Sequence, residues 1–233
     1  MKLTDSVALV TGANRGIGRH FAQQLLERGA KKVYATARRP ESVDLPGAEV
    51  LKLDITDPDS VAAVAAAAQD VTVLVNNAGI TTMSNLVTGD LDKIRLEMDT
   101  HFYGTLGMVR AFAPILGANG GGAILNVLSA LSWFSYDGAN AYAAAKAAAW
   151  SLTNGVRLEL AGQGTLVTGV FLGTADTDMV VGYEAMNQPG DVARAALDGI
   201  EAGKLEVVVD DWSARAKAAL AVDPSVSPFY LPA

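Results

Sequence analysis

The segment Thr11–Gly18, with the sequence TGANRGIG, places three glycines in eight residues between a predicted strand and a predicted helix. Val7–Thr11 is a short, partly β-branched apolar run that stops at Gly12, and Arg15–Arg28 reads as a helix that ends before Gly29. Glycines allow the backbone to approach a pyrophosphate closely, and a helix N-terminus offers unpaired N–H groups and a positive dipole end. The segment therefore predicts a phosphate-binding turn, and a tight turn without a ligand is the alternative.

The alternation of short apolar strands with longer helices continues along the chain. Further strands are predicted at Lys32–Ala37, Glu49–Asp54, Val71–Val75, Ala123–Leu128, Leu166–Phe171 and Leu205–Val209. Further helices are predicted at Pro58–Ala68, Asp90–Leu116 (bent or interrupted near Gly104 and Gly107), Ala139–Ala161, Asp191–Glu201 and Trp212–Ala221, with an extended tail at Asp223–Ala233. Apolar strands separated by helices indicate an α/β fold with a parallel sheet covered on both faces. We expect a single domain, residues 1–233, built as one Rossmann-type doubly wound parallel sheet of about seven strands.

Composition excludes several classes of function. The formal net charge of −7 disfavours a surface for nucleic acid or for an anionic membrane, because phosphates are held mainly by Lys and Arg. The chain has no cysteine and only two histidines, His20 and His101, so no disulfide, thiolate nucleophile or metal site is expected. It has no apolar run of about 18–20 residues and no signal-peptide pattern. These features predict a soluble, cytoplasmic protein that binds neither membrane nor nucleic acid.

The end of the second predicted strand indicates which dinucleotide fits the turn. An NAD site usually has a carboxylate here to hold the ribose 2′-OH, but this strand ends in Thr-Ala-Arg-Arg at residues 36–39. The planar guanidinium of Arg38 suits a 2′-phosphate, and Arg15 in the glycine turn could reach the same group. The sequence therefore favours NADP(H) over NAD(H). Solvated loop charges at Arg38 and Arg39 are the alternative.

Three side chains suited to acid–base chemistry are expected at one end of the sheet. Tyr142 and Lys146 are four residues apart in a predicted helix and so share a face. Ser129 follows the strand Ala123–Leu128, and ligands of open α/β sheets bind beyond the carboxyl ends of strands. We therefore expect the hydroxyl, the phenol and the ammonium group to converge beside a bound nicotinamide.

Together these motifs resemble the short-chain dehydrogenase/reductase family over nearly the whole chain, and the combination is highly specific. The matching elements are Thr11–Gly18, Asp54, Asn76–Gly79, Ser129, Tyr142-x-x-x-Lys146 and Gly173-x-x-x-Thr177. The resemblance implies that Tyr142 exchanges a proton with the carbonyl or alcohol oxygen, that Ser129 polarises this oxygen, and that Lys146 lowers the pKa of the phenol and holds the nicotinamide ribose. The predicted dinucleotide contacts, besides Tyr142 and Lys146, are Gly12, Asn14, Arg15, Gly16, Ile17, Gly18, Arg38, Asp54, Ile55, Asn76, Ala78, Gly79, Gly173, Ala175 and Thr177.

Two positions depart from the family pattern. Three residues before Gly104, where the family commonly has an Asn that holds a relay water, this chain has His101. Histidine can donate and accept, so His101 is a candidate catalytic residue, and a buried packing residue is the equal alternative. Leu172 stands where a Pro usually precedes Gly173, which loosens one backbone constraint but removes no reacting group.

The substrate is expected to be a ketone, an aldehyde or a secondary alcohol with an apolar or aromatic body. Candidate pocket residues, which could equally be core, are Ile80, Met83, Ala130, Leu131, Trp133, Phe134, Tyr136, Met179, Val181 and Tyr183. No arginine is evident among them to hold an acidic substrate. A non-catalytic NADP(H)-binding redox sensor or scaffold is the alternative function. The family resemblance and the small residues of the Tyr–Lys helix predict a homodimer or a homotetramer.

Overall fold

The structure of the chain, a computed structural model, describes residues 1–179 and 186–229. Within these residues seven strands form one sheet with the order β3-β2-β1-β4-β5-β6-β7, and every neighbouring pair is parallel. The strands are β1 Val7–Thr11, β2 Lys32–Ala37, β3 Glu49–Lys52, β4 Val73–Asn76, β5 Ala123–Val127, β6 Leu166–Phe171 and β7 Glu206–Val208. The predicted doubly wound parallel sheet is confirmed. That residues 1–233 form a single domain stays a prediction.

Helices cover both faces of the sheet. The α-helices of the described residues are α1 Gly16–Glu27, α2 Pro58–Ala67, α3 Leu91–Met98, α4 Thr105–Ala118, α5 Asn140–Glu159, α6 Pro189–Glu201 and α7 Asp211–Ala218. Side chains of β1 alternate between the two faces. Ala8 and Val10 belong to an apolar core with α1 and α6, whereas Val7 and Leu9 belong to a core with α2, α4 and α5. The described helices include none that is long and apolar enough to cross a lipid bilayer.

The strand order places a crevice at the centre of the sheet. From β1 the chain moves outward through β2 to β3, and it then returns to the other side of β1 with β4 and continues to β7. At such a reversal, the connections that leave the carboxyl ends of the two central strands diverge to opposite faces and leave room for a ligand. The glycine turn after β1 and the segment after β4 therefore face the same space.

The helix predicted over Asp90–Leu116 is divided into three parts. α3 and α4 are joined by a π-helical turn, Asp99–Gly104, that contains His101. A Cβ on Gly104 would lie 3.0 Å from Ile55 Cδ1 and 3.2 Å from the Asp99 carbonyl oxygen, so glycine allows this turn to pack closely. Single π turns within α-helices are frequent at functional sites. The long helix is thus interrupted near Gly104 by one π-helical turn, which is wider than an α-helical turn, and it is not simply bent there.

The tail after α7 is not extended in its described part, which corrects that prediction. The residues after the short 3₁₀ helix Ala219–Ala221 form turns up to residue 229. The ring of Phe229 lies 5.1 Å from that of Phe134 and 6.0 Å from that of Trp212, measured between centroids. These aromatic contacts fold the end of the described chain back onto the segment that follows β5.

Candidate active site

The glycine turn after β1 has the backbone geometry of a phosphate cradle. Gly12 and Gly16 have positive φ angles of 66° and 53°, which side chains rarely adopt. A Cβ on Gly18 would lie 2.1 Å from the Gly12 carbonyl oxygen, so this close approach of turn and helix excludes every other residue. The N-cap of α1, Arg15, contributes no side-chain hydrogen bond, and the first turn of α1 contains no acidic residue. The first N–H groups of α1 are therefore suited to an anion.

Two residues of the family motifs that were not among the predicted dinucleotide contacts hold this turn against the end of β4. The Thr11 hydroxyl accepts hydrogen bonds from the backbone N–H groups of Asn77 at 2.9 Å and of Ala78 at 3.0 Å. The Asn77 amide donates to the carbonyl oxygens of Thr11 at 3.0 Å and of Gly12 at 3.3 Å. Asn77, rather than its neighbour Asn76, is therefore the amide that supports the turn.

Asn76 is the clearest correction among the predicted dinucleotide contacts. It is the last residue of β4, and its side-chain amide donates to the side-chain oxygen of Asn126 on β5 at 2.9 Å. Asn126 in turn donates to the Thr153 hydroxyl of α5 at 2.9 Å. Successive residues of a strand point to opposite faces, so Asn76 ties β4 to β5 and α5 and does not line the ligand cavity.

One cavity of about 1420 Å³ joins the glycine turn to the predicted catalytic residues. Its wall runs along the carboxyl ends of the strands and contains nearly all the residues predicted to bind the dinucleotide or to react. Those in the wall are Gly12, Asn14, Arg15, Gly16, Ile17, Arg38, Asp54, Ile55, Ala78, Gly79, His101, Ser129, Tyr142, Lys146, Gly173, Ala175 and Thr177. Gly18 lies behind the turn, where its lack of a side chain allows the packing described above.

The guanidinium groups at the far end of the cavity differ in their partners. Arg38 and Arg39 are exposed, and neither forms an ion pair within the described residues. Arg15 pairs with Asp178 at 2.8 Å, but both side chains are largely exposed, and such pairs contribute little. Asp54 also lines this end, and its carboxylate accepts hydrogen bonds from the backbone and hydroxyl of Thr56.

Ser129, Tyr142 and Lys146 meet at the other end of the cavity. Ser129 is buried, caps the short 3₁₀ helix Ala130–Ser132, and accepts a hydrogen bond from the backbone N–H of Leu131 at 3.1 Å. The Lys146 ammonium donates to the carbonyl oxygen of Val127, the last residue of β5, at 2.9 Å. Its Nζ lies 5.5 Å from the centroid of the Tyr142 ring. The helix α5 and the end of β5 thus bring the three predicted groups together.

The surroundings shift the ionisation of these groups. Burial raises the pKa of the Tyr142 phenol above its usual value, an effect that the Ser129 hydroxyl opposes and the negative charge of Glu97 reinforces. Burial lowers the pKa of Lys146 to about 8, and the Glu97 carboxylate works in the opposite direction. A lysine with this pKa can both hold and release a proton near neutral pH.

His101 lies directly beside these residues. It is 2% exposed, and its ring meets that of Tyr142 edge to face, with 5.1 Å between centroids. Its Nε2 lies 2.8 Å from the Ile80 carbonyl oxygen, and a Cβ on Gly79 would lie 2.7 Å from its Cε1. Burial and the nearby Lys146 charge lower the pKa of His101, whereas contacts with Glu97 and with the Ile80 carbonyl raise it. His101 is thus both a neighbour of Tyr142 and a buried residue in contact with a backbone carbonyl, so the catalytic and the packing interpretations both stay open.

Only part of the predicted substrate pocket lies in the cavity wall. Ile80, Met83, Leu131, Tyr136 and Met179 line the cavity. The remaining described candidates, Ala130, Trp133 and Phe134, are buried in an apolar core with Phe171, which is the alternative that the sequence left open for them. Val181 and Tyr183 lie outside the described residues.

Helix α7 adds a further wall that the sequence did not reveal. Asp210, Trp212 and Arg215 line the cavity, so an arginine is present near the substrate end, contrary to expectation. Asp210 accepts hydrogen bonds from the backbone N–H groups of Gly173 at 2.8 Å and Ser213 at 2.7 Å. Although burial raises the pKa of Asp210, these hydrogen bonds hold it below its usual value. Its carboxylate links α7 to the segment that follows β6.

Comparisons with known proteins agree with this arrangement. The family described as short chain dehydrogenase matches residues 6–188. An uncharacterized oxidoreductase of Staphylococcus aureus is 30% identical over 209 residues, which are 84% of this chain and 90% of that protein. The NADPH-dependent 1-acyldihydroxyacetone phosphate reductase of Schizosaccharomyces pombe is 35% identical over 182 residues, 74% of this chain and 61% of that protein. A short chain dehydrogenase from Burkholderia cenocepacia, solved in complex with NADP, is 37% identical with a TM-score of 0.93, and the match covers 98% of this chain and 100% of that one.

Proposed function

The chain belongs to the short-chain dehydrogenase family of oxidoreductases, and we propose that it reduces a ketone or an aldehyde with NADPH or catalyses the reverse oxidation. The observation that carries the proposal is the continuous cavity that joins the glycine turn to Ser129, Tyr142 and Lys146. A long ligand with a phosphate group at one end and a reacting ring at the other would span this cavity.

NADP(H) is the cofactor that fits the residues. The N-terminus of α1, which has no side-chain cap, and the glycine turn suit the pyrophosphate, and Arg38, which has no ion pair among the described residues, suits a 2′-phosphate. Two relatives described above are named as an NADPH-dependent reductase and an NADP complex, which supports the same choice. When bound, the reduced cofactor supplies the hydride.

The side chains at the reacting end would transfer the proton and stabilise the charge on the substrate oxygen. Tyr142 gives the proton of its hydroxyl to the carbonyl oxygen as that oxygen gains negative charge, and Ser129 donates a hydrogen bond to the same atom. The Lys146 cation favours the phenolate that remains on Tyr142. In the oxidation direction, the Tyr142 phenolate takes the proton from the alcohol, and each group reverses its part.

The substrate end favours a carbonyl compound with an apolar body. Leu131, Tyr136, Met83 and Ile80 supply apolar wall, while Arg215 on α7 forms no ion pair within the described residues. A polar or anionic substituent directed toward α7 would therefore find one cation.

Consumption of NADPH with a panel of activated ketones and aldehydes tests the function, with NADH run in parallel. We expect turnover with several members of the panel and a preference for NADPH. A redox sensor or scaffold would instead bind NADPH tightly and leave its absorbance unchanged with every carbonyl compound in the panel.

Replacing Arg38 with Asp is expected to reverse the preference between the two cofactors. Asp repels a 2′-phosphate and can accept a hydrogen bond from a ribose 2′-OH, and the loss of a charge-assisted hydrogen bond alone is worth about 1.5–3 kcal/mol. The measurement is kcat/KM for NADPH and for NADH, and the ratio should fall by at least about tenfold. Arg110→Asp, on α4 and outside the cavity wall, is the control. A wild-type protein that prefers NADH, or an unchanged ratio, would contradict the assignment.

The protein is expected to form a homodimer or a homotetramer. The outer surfaces of α4 and α5 carry small residues such as Ala118 and Ala144, and Leu158 of α5 is 80% exposed. Small residues allow close approach of two helices, and exposed apolar side chains favour an interface. Light scattering at micromolar concentration measures the mass, and a species of about 24 kDa alone would reject this expectation.

A further inference from the structure

Glu97 is a fully buried carboxylate four residues before His101, and the chemistry above leaves it without a role. It lies in α3 and is 0% exposed. One of its oxygens accepts a hydrogen bond from the backbone N–H of Thr82 at 2.5 Å. The other has no hydrogen bond within the described residues and lies 3.3 Å from His101 Nε2. A buried carboxylate with so few donors is costly, so its position beside the imidazole requires an explanation.

The contacts of His101 fix which of its nitrogens carries the hydrogen. Nε2 lies 2.8 Å from the Ile80 carbonyl oxygen, which can only accept, and 3.3 Å from the Glu97 carboxylate. Both neighbours require a hydrogen on Nε2. Nδ1 is therefore the exchangeable nitrogen: it accepts a hydrogen bond when the ring is neutral and donates one when the ring is charged. Nδ1 makes no hydrogen bond to the residues that the structure describes.

The same carboxylate acts on the reacting groups of α5. The charged and titratable side chains that face the pair from α5 are Tyr142 and Lys146, and its Coulombic effect raises the pKa of both. Its charge and its close contact with the ring also raise the pKa of His101. The π turn carries His101 to the cavity wall, while Glu97 stays in the preceding helix behind it. Carboxylate, imidazole, phenol and ammonium thus form one buried cluster.

We propose that Glu97 is a positioning residue that acts through His101, holding the imidazole with its hydrogen on Nε2 so that Nδ1 exchanges protons beside Tyr142 and Lys146. A buried carboxylate that orients an imidazole and stabilises its charged form has a known parallel in catalytic triads. The kinetic part of this proposal rests on the proposed carbonyl reduction. The structural part, the control of His101 by Glu97, does not.

Reduction moves the Tyr142 hydroxyl proton to the carbonyl oxygen and leaves a phenolate, which recovers a proton from the Lys146 ammonium. The neutral amine takes the Nδ1 proton of the His101 imidazolium, directly or across one water. His101 returns to its neutral form with the hydrogen on Nε2, and solvent in the cavity supplies the next proton to Nδ1. Glu97 keeps its charge throughout and exchanges no proton.

NMR titration of the imidazoles tests the control of His101 without any substrate. The chain has only two histidines, so Asn substitution of His101 assigns both sets of signals. Glu97→Gln keeps an acceptor for the Thr82 N–H but removes the charge, and it is expected to lower the titration midpoint of His101 by about one pH unit or more. His20 should not move. Glu97→Asp, which keeps the charge, should hold the midpoint near the wild-type value.

Turnover and its dependence on His101 complete the test. Glu97→Gln is expected to reduce kcat at least about tenfold in the wild-type background but to cost little in the His101→Asn background, because the carboxylate acts through the ring. Asp92→Asn, an exposed carboxylate on the same helix that pairs with Arg95, is the matched control. Equal losses in both backgrounds, or an unchanged His101 midpoint, would overturn the proposal. A wild-type protein that reduces no carbonyl compound would instead reject the proposed function, and the NMR result would still decide the role of Glu97.

Discussion

Replacing Tyr142 with Phe is expected to reduce turnover by at least about 10²-fold, and by up to about 10⁴-fold, while NADPH binding is largely retained. The substitution keeps the ring, including its edge-to-face contact with His101, and removes only the hydroxyl that is proposed to exchange the proton. General acid–base catalysis contributes an effect of this size. The measurements are kcat with the best carbonyl substrate and the Kd of NADPH from fluorescence.

Tyr136→Phe is the matched control for this variant. Tyr136 lines the same cavity and is also a phenol, but it is 49% exposed. Its hydroxyl should therefore affect KM at most, with kcat close to wild type. Near-normal turnover of Tyr142→Phe, or an equal loss in both variants, would contradict the role assigned to Tyr142.

Gly18→Ala is expected to have the largest effect on cofactor binding. A Cβ at this position would lie 2.1 Å from the Gly12 carbonyl oxygen and 2.4 Å from Asn77 Nδ2, so the turn must move away from α1. Overpacking of this kind costs about 1–3 kcal/mol, and tenfold in affinity corresponds to about 1.4 kcal/mol. We expect the Kd of NADPH to rise by at least about tenfold and the Tm to fall by several degrees.

Gly162→Ala is the control, because a Cβ on Gly162 would contact nothing within 4 Å outside its immediate neighbours. This variant should keep both the Tm and the Kd of the wild type. Retention of tight NADPH binding by Gly18→Ala would show that the turn can rearrange and that the close approach of backbone and helix is not required.

The parts of the fold that depend on local patterns could be predicted from the sequence. Strand bounds were predicted to within two residues. For the five central strands the reason is that a continuous apolar run marks a strand buried on both faces, whereas the edge strand β3 is largely exposed. Ser129, Tyr142 and Lys146 were predicted from their spacing and from the rule that ligands bind at the carboxyl ends of strands. The structure brings these three side chains into one cavity.

Glu97 could not be identified from the sequence. A glutamate in an amphipathic helix next to Leu96 and Met98 has the pattern of a solvated face, and only the packing of α3 against α5 buries it. The i, i+4 spacing between Glu97 and His101 was the available signal. The π turn that follows could not be predicted either, because no residue pattern in its sequence marks it. It depends on the close packing of Gly104 against Ile55, which is distant in the sequence.

Asn76 and Arg215 illustrate two other limits. Asn76 and Asn77 are adjacent residues with the same side-chain amide. Successive side chains of a strand point to opposite faces, so the exact end of β4 decides which amide bonds to the glycine turn and which bonds to β5. Arg215 reaches the cavity because α7 begins directly after β7 and packs against the short helix that follows β5, while Asp210 at its start bonds to Gly173 after β6. Contacts between residues so distant in the sequence leave no local pattern.

The cavity wall extends from Gly12, after the first strand, to Arg215, near the end of the described chain. A site assembled from such distant residues is complete only in the folded chain, so the dinucleotide binds the folded state in preference to the unfolded one. Ligand binding and global folding are thus thermodynamically linked. At a free cofactor concentration 100 times its Kd, this linkage adds about 2.7 kcal/mol to the free energy of unfolding. The abundance of the chain in a cell would then follow the supply of its own cofactor, because the liganded fraction is shielded from proteases that act on unfolded protein.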